Sequence, residues 1–149
     1  MIPKFPGLAR AVPLARVVAI VGALAPLSAQ ALDPALAQAI ARGKEHFLHD
    51  TFGGSGRVCD TCHRGGGMLP GRLPDGRAIP SLNNAAAIFP RVDDDDQTLI
   101  TLADQVQHCV AGAIKGTPPA AGSDTLNSLV SYVTSLAQGK AIDMGAPPQ

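Results

Sequence analysis

Cys59-Asp60-Thr61-Cys62-His63 is a Cys-x-x-Cys-His pentapeptide, the pattern through which a c-type haem is attached to a protein. The two thiols add to the vinyl groups of the macrocycle as thioethers, and the adjacent imidazole is placed under the iron as its proximal ligand. The pentapeptide therefore predicts one covalent haem c held by Cys59 and Cys62, with His63 on the metal.

Two other chemistries use the same cysteine pair. A Cys-x-x-Cys can be half of a zinc site, but adjacent Cys62 and His63 are awkwardly placed for two corners of one tetrahedron. A thioredoxin-like dithiol needs a strand before the motif and a helix after it. Here Gly53-Gly54-Ser55-Gly56 precedes and Gly65-Gly66-Gly67 follows.

The N-terminus agrees with haem attachment. Lys4, Arg10 and Arg16 precede the apolar run Val17 to Leu27, and Ala29-Gln30-Ala31 has the form of a cleavage site. The run is shorter than the ~20 residues of a membrane span, so residues 1–31 read as a cleaved export signal and the mature domain as 32–149. Membrane contact is expected only if the signal stays uncleaved. Export, and hence a periplasmic location, suits a cofactor that is attached outside the cytoplasm. Arg10 and Arg16 are not paired, which gives a twin-arginine route no support.

Without Lys4, Arg10 and Arg16 the basic count falls from 12 to 9, against 12 acidic residues. A mildly acidic domain argues against nucleic acid as a partner. It is compatible with docking on a redox partner protein such as another c-type cytochrome. Phe47, Phe52, Phe89 and Tyr132 are the aromatic residues after residue 31, and Trp is absent from the chain. So small a domain has a thin core of its own, and a buried macrocycle would supply apolar mass.

Asp33 and Pro34 read as the N-cap and first position of a helix running to about His49, with Leu36, Ile40 and Phe47 toward one face. Residues 65–100 are rich in Gly and Pro and predict loops, relieved by a short helix near Leu82–Ile88. Asp93 to Asp96 reads as a solvated turn rather than a calcium loop. Thr101 opens a second helix with Asp104 as capping-box partner. Its apolar stripe is Leu102, Val106, Cys109, Val110 and Ala113, and Gly116 with Pro118-Pro119 should stop it. A third helix starts near Ser123 or Asp124 with Leu126, Leu129, Val130 and Val133 on its stripe, and Gly139 ends it. The tail from about residue 140 should be loosely ordered.

This order resembles class I cytochrome c domains over Gly43 to Leu136. Gly43-Lys44-x-x-Phe47 precedes the haem motif, and Leu129 to Leu136 forms the terminal helix. The resemblance implies an all-α fold of three main helices plus long loops around one haem. It also implies that the first and last helices cross, with Gly43, Phe47 and Tyr132 at the contact.

The distal iron ligand is less ordinary. Class I domains usually carry a methionine in the loop before the last helix, but here that loop is Gly116-Thr117-Pro118-Pro119-Ala120. Met68 follows His63 by five residues and would have to round the porphyrin edge, and Met144 lies in the tail beyond the last helix. Cys109 is the unpaired thiol of the chain and sits on an apolar stripe, where it is either an iron ligand or a small buried hydrophobe. His108 lies about 100° around the helix from it and is a further candidate. His46 and His49 read as surface residues. Of Arg64, Arg72, Arg77 and Arg91, one or two should pair with propionates or attract an anion. Arg91 is the first choice because it follows Phe89-Pro90.

From Arg57 to Leu136 the chain is similar to the haem domains of sulfur-oxidation cytochromes, the SoxA subunit and thiosulfate dehydrogenase. Three stretches carry this: Pro80-Ser81-Leu82 with Ala87-Ile88-Phe89-Pro90-Arg91, Leu102 to Cys109, and Gly116-Thr117-Pro118-Pro119. The resemblance implies His63 and Cys109 as the axial pair. It implies an electron-transfer role linked to sulfur-compound oxidation. The alternative is an enzyme subunit that oxidises thiosulfate or a related thiol, with Cys109 taking part. Those proteins pass electrons through a second haem or a haem partner, whereas this chain has one motif.

Overall fold

The computed structural model describes residues 31–148, so the expected export signal lies outside the described residues but for Ala31. Five α-helices and four two-residue strands follow one another: α1 (Pro34–His49), α2 (Cys59–Cys62), β1 (Gly71–Arg72), β2 (Ala78–Ile79), α3 (Ala85–Ile88), β3 (Arg91–Val92), β4 (Leu99–Ile100), α4 (Leu102–Cys109) and α5 (Asp124–Leu136). The fold is mostly helical, with α1, α4 and α5 as its main helices. To the all-α expectation it adds two small antiparallel hairpins, Gly71 paired with Ile79 and Arg91 with Ile100.

Local chemistry sets the helix starts. The Asp33 carboxylate accepts hydrogen bonds from the Ala35 and Leu36 amides, and Pro34 takes the first position, where its missing N–H costs nothing. Ser123 Oγ accepts from the Leu126 amide. Thr101 Oγ1 accepts from the Asp104 amide at 3.2 Å, and the Asp104 carboxylate accepts from the Thr101 amide at 2.8 Å. These bonds hold Asp104 below its usual carboxylate range. Thr101→Ala removes half of this box and is expected to lower stability by about 1 kcal/mol, read as a lower urea midpoint with unchanged slope.

The core forms where α1 crosses α5. Phe47, Ala85, Leu129, Tyr132 and Val133 are buried together, with the Phe47 and Tyr132 rings edge-on at 5.3 Å. Gly43 is the seat of the crossing. A Cβ there would run into the Ser128 carbonyl and, at 2.8 Å, the Tyr132 Cβ. Leu36, expected on the same apolar face, is exposed, because the first turn of α1 precedes the crossing.

The end of α4 departs from expectation. Residues Val110–Ile114 widen into a π-helical turn, and Lys115, in the left-handed region at φ 62°, closes it ahead of Gly116. Its terminal carbonyls lack helical partners. Ser55 donates to the Ile114 carbonyl through both N–H and Oγ, and Arg57 Nη1 donates to the Ala113 carbonyl at 3.2 Å. The loop before the cysteine motif is thereby tied to the end of α4. Tyr132 Oη donates to the Gly66 carbonyl at 2.8 Å, tying α5 to the loop after the motif. The tail also differs from the loose end expected beyond residue 140. The Asp143 amide donates to the Ala87 carbonyl and the Gly145 amide to that of Ile88, which straps the tail along α3.

Candidate functional site

A cavity of about 270 Å³ lies between these elements, and its lining is overwhelmingly carbon. The cysteine motif supplies Cys59, Cys62 and His63. The α4 stripe supplies Leu102, Val106 and Cys109 with Gln105 beside them. Ile79, Pro80, Leu82 and Ala85 come from the middle segment, and Leu129 and Val133 from α5. Phe89 and Arg91 line it as well, and Pro148 reaches the cavity from the strapped tail.

The motif is held in place by its own polar groups. The Asp60 carboxylate accepts from the Gly66 amide at 2.7 Å. Gly65, Gly66 and Gly67 all have positive φ, a turn that side-chain-bearing residues adopt poorly. Gly71 passes so close to the Cys62 carbonyl that a Cβ there would collide with it. The Phe47 ring lies 6.5 Å from that of His63, linking the motif to the helix crossing.

Among the candidate site residues, the fold brings Cys59, Cys62, His63, Cys109 and Arg91 to this one cavity. His108 is exposed, as are Met68 and Met144, and none of the three lines it. The Gly116–Ala120 loop stays outside, pinned where Gln107 Nε2 donates to the Pro119 carbonyl at 2.8 Å. His46 pairs with Asp50 and His49 with Glu45, both away from the cavity. Arg64, Arg72 and Arg77 are exposed and bond to Pro70, Gly76 and Asp75.

Arg91 is different. Its side chain is 19% exposed, it lies over the Phe89 ring at 5.5 Å, and its Nε is buried without a hydrogen-bond partner. Gln105, which the sequence reading passed over, bridges Arg91 and Cys109: it accepts from Arg91 Nη2 at 3.3 Å and donates to Cys109 Sγ at 3.6 Å. Its position four residues before Cys109 on a helix was the available signal.

Burial dominates the electrostatics. It pushes the Cys59 thiol up to about 12, with nearby Cys109 adding to the rise. It also raises the Cys109 thiol, against the opposing hydrogen bond from Gln105. It lowers His63, favouring the neutral imidazole that binds metals. His63 Nδ1 is buried without a partner.

These residues fit a covalently attached haem. Two thiols and an imidazole line an apolar chamber suited to a flat macrocycle, and the half-buried Arg91 guanidinium, with its buried Nε–H unsatisfied, lines it too, where an acidic edge would need one. Among the described residues no group of three His, Cys, Asp or Glu is placed to hold a metal ion by itself.

The family model for the SoxA/TsdA cytochrome c domain matches residues 42–142. The as-isolated thiosulfate dehydrogenase TsdBA from Marichromatium purpuratum superposes with a TM-score of 0.58 at 22% identity, covering 75% of this chain. SoxXA from P. pantotrophus superposes with a TM-score of 0.58 at 22% identity, covering 74% of it. The chain spans only 25% and 37% of those two chains, respectively. At this identity the likeness is one of fold. No curated protein matches the chain.

Proposed function

This chain belongs to the SoxA/TsdA cytochrome c domain family, and from that membership we propose that it is an exported monohaem cytochrome carrying electrons in sulfur-compound oxidation. The family implies covalent haem c and an electron-transfer role. The finer reading assigns residues 1–31 to the export signal, 32–149 to the haem domain and the periplasm as its location. Cys59 and Cys62 would hold the haem covalently, and His63 and Cys109 would be the residues that bind its iron. The observation that carries the axial assignment is that Cys109 shares the cavity with His63 while His108, Met68 and Met144 do not.

When bound, the haem supplies a reversible one-electron couple at iron. The chain's part is to hold and tune it. Cys59 and Cys62 would anchor it, and half-buried His63 would present a neutral nitrogen. Phe47, Leu129 and Val133 keep water from the α1–α5 side. Arg91 directs guanidinium donors at an acidic edge group. Electrons leave to a redox partner protein, such as another c-type cytochrome. Among the described residues no helix is long and apolar enough to cross a membrane.

Purified exported protein is expected to keep one haem per chain through acid-acetone extraction, read by intact mass, and Cys59→Ala with Cys62→Ala to lose it. A protein that releases its haem, or holds zinc instead, contradicts the proposal.

One observation favours a second reading. The Cys109 sulfur stands on the wall of the chamber and not in packed core, where it could meet a sulfur substrate. One solved structure of the same fold is a thiosulfate dehydrogenase. An enzyme subunit would turn over thiosulfate or a related thiol and lose that activity in Cys109→Ala. A carrier would exchange electrons rapidly with another cytochrome and show no turnover.

A further inference from the structure

We propose that Gln105 is a positioning residue for the Cys109 sulfur, and that Arg91 sets the direction of its amide. The inference rests on Cys109 being the distal iron ligand, as argued above. Gln105 and Cys109 are four residues apart on α4, so their side chains lie on one face. Gln105 Nε2 stands 3.6 Å from Cys109 Sγ, and Gln105 Oε1 3.3 Å from Arg91 Nη2.

A glutamine amide can be turned either way, with its oxygen or its nitrogen toward a neighbour. Arg91 removes that freedom. A guanidinium has donors and no acceptor, so it must meet the amide oxygen. The amide N–H is then left for sulfur. The opposite orientation would set donor against donor beside Arg91 and offer the sulfur a carbonyl oxygen. Arg91 is itself restrained by the Phe89 ring beneath it and by Asp94 Oδ2 at 3.7 Å from Nη1.

The consequence is a sulfur that accepts a hydrogen bond. An N–H aimed at a metal-bound thiolate draws charge from it, which weakens its donation to iron and raises the reduction potential. The same bond holds the side chain in the rotamer that faces the cavity. Partners that orient a metal ligand in this way typically matter roughly ten- to a hundredfold in metal affinity or activity.

The test uses the haem-loaded protein and reads the ferric EPR spectrum and the reduction potential, not turnover. Gln105→Leu keeps the bulk and removes the donor. It should shift the low-spin g-values and move the oxidised-to-reduced equilibrium roughly tenfold toward the oxidised form, about 59 mV for one electron. Arg91→Gln should move both readouts in the same direction. In the double variant the effects should fall short of additive, because Arg91 acts on the sulfur through Gln105. Unchanged g-values in Gln105→Leu, with a spectrum that does change in Cys109→Ala, would leave the axial pair standing and overturn the positioning role. Strictly additive shifts would overturn the part assigned to Arg91. An unaltered spectrum in Cys109→Ala would remove the axial pair itself and this inference with it.

Discussion

Cys109→Ala is expected to turn a low-spin ferric haem high-spin. The variant removes the sulfur that lines the cavity with His63, and the substitutes are badly placed. Met144 is 64% exposed in the strapped tail and Met68 is 48% exposed beyond the glycine turn. His108 points to solvent from the adjacent helical position. None of the three lines the chamber, so the sixth position should pass to a weak ligand. Loss of a charge-donating thiolate should also raise the reduction potential. Optical and EPR spectra of the oxidised protein check both effects. An unchanged spectrum in Cys109→Ala, together with loss of a methionine-type absorption in Met144→Ala, would restore an ordinary His/Met carrier.

The second large effect concerns stability. Gly43→Ala should destabilise the fold by about 2–3 kcal/mol, although alanine favours a helix over glycine by about 1 kcal/mol. The added methyl would collide with the backbone carbonyl of Ser128, and a backbone atom inside a helix cannot swing aside as a side-chain tip can. α1 and α5 would have to separate, loosening Phe47, Leu129 and Tyr132 together. Gly112→Ala is the control, since its added Cβ meets nothing within 4 Å, and it should be neutral or slightly stabilising. Thermal melts of the two variants should move apart by roughly 10 °C or more. Equal midpoints would mean that the crossing can relax at little cost.

Much of this molecule was legible along the chain because it is local. The pentapeptide at Cys59–His63 carries the haem-attachment pattern within five residues, and the family model agrees with a cytochrome c domain. Asp33, Thr101 and Ser123 mark helix starts because a cap bonds to amides two or three positions away. Of the stripe Leu102, Val106, Cys109, Val110 and Ala113, all but the fully buried Val110 line the cavity, and Gly43, Phe47 and Tyr132 meet where the family resemblance places them.

What periodicity cannot supply is the meeting of distant segments. A stripe says which side of a helix is apolar, not which other segments face it. Which of Cys109, His108, Met68 and Met144 shares a cavity with His63 is therefore visible only once segments from Phe47 to Pro148 are gathered. That cavity depends on bonds spanning the chain, Ser55 to Ile114 and Tyr132 to Gly66, which nothing at either end announces. The π turn after Cys109 and the tail strapped on α3 are likewise solutions to unpaired backbone groups that arise only once the elements pack. The direction of the Gln105 amide is the finest case. Composition allows it either way, and a guanidinium from fourteen residues upstream decides it because it can only donate.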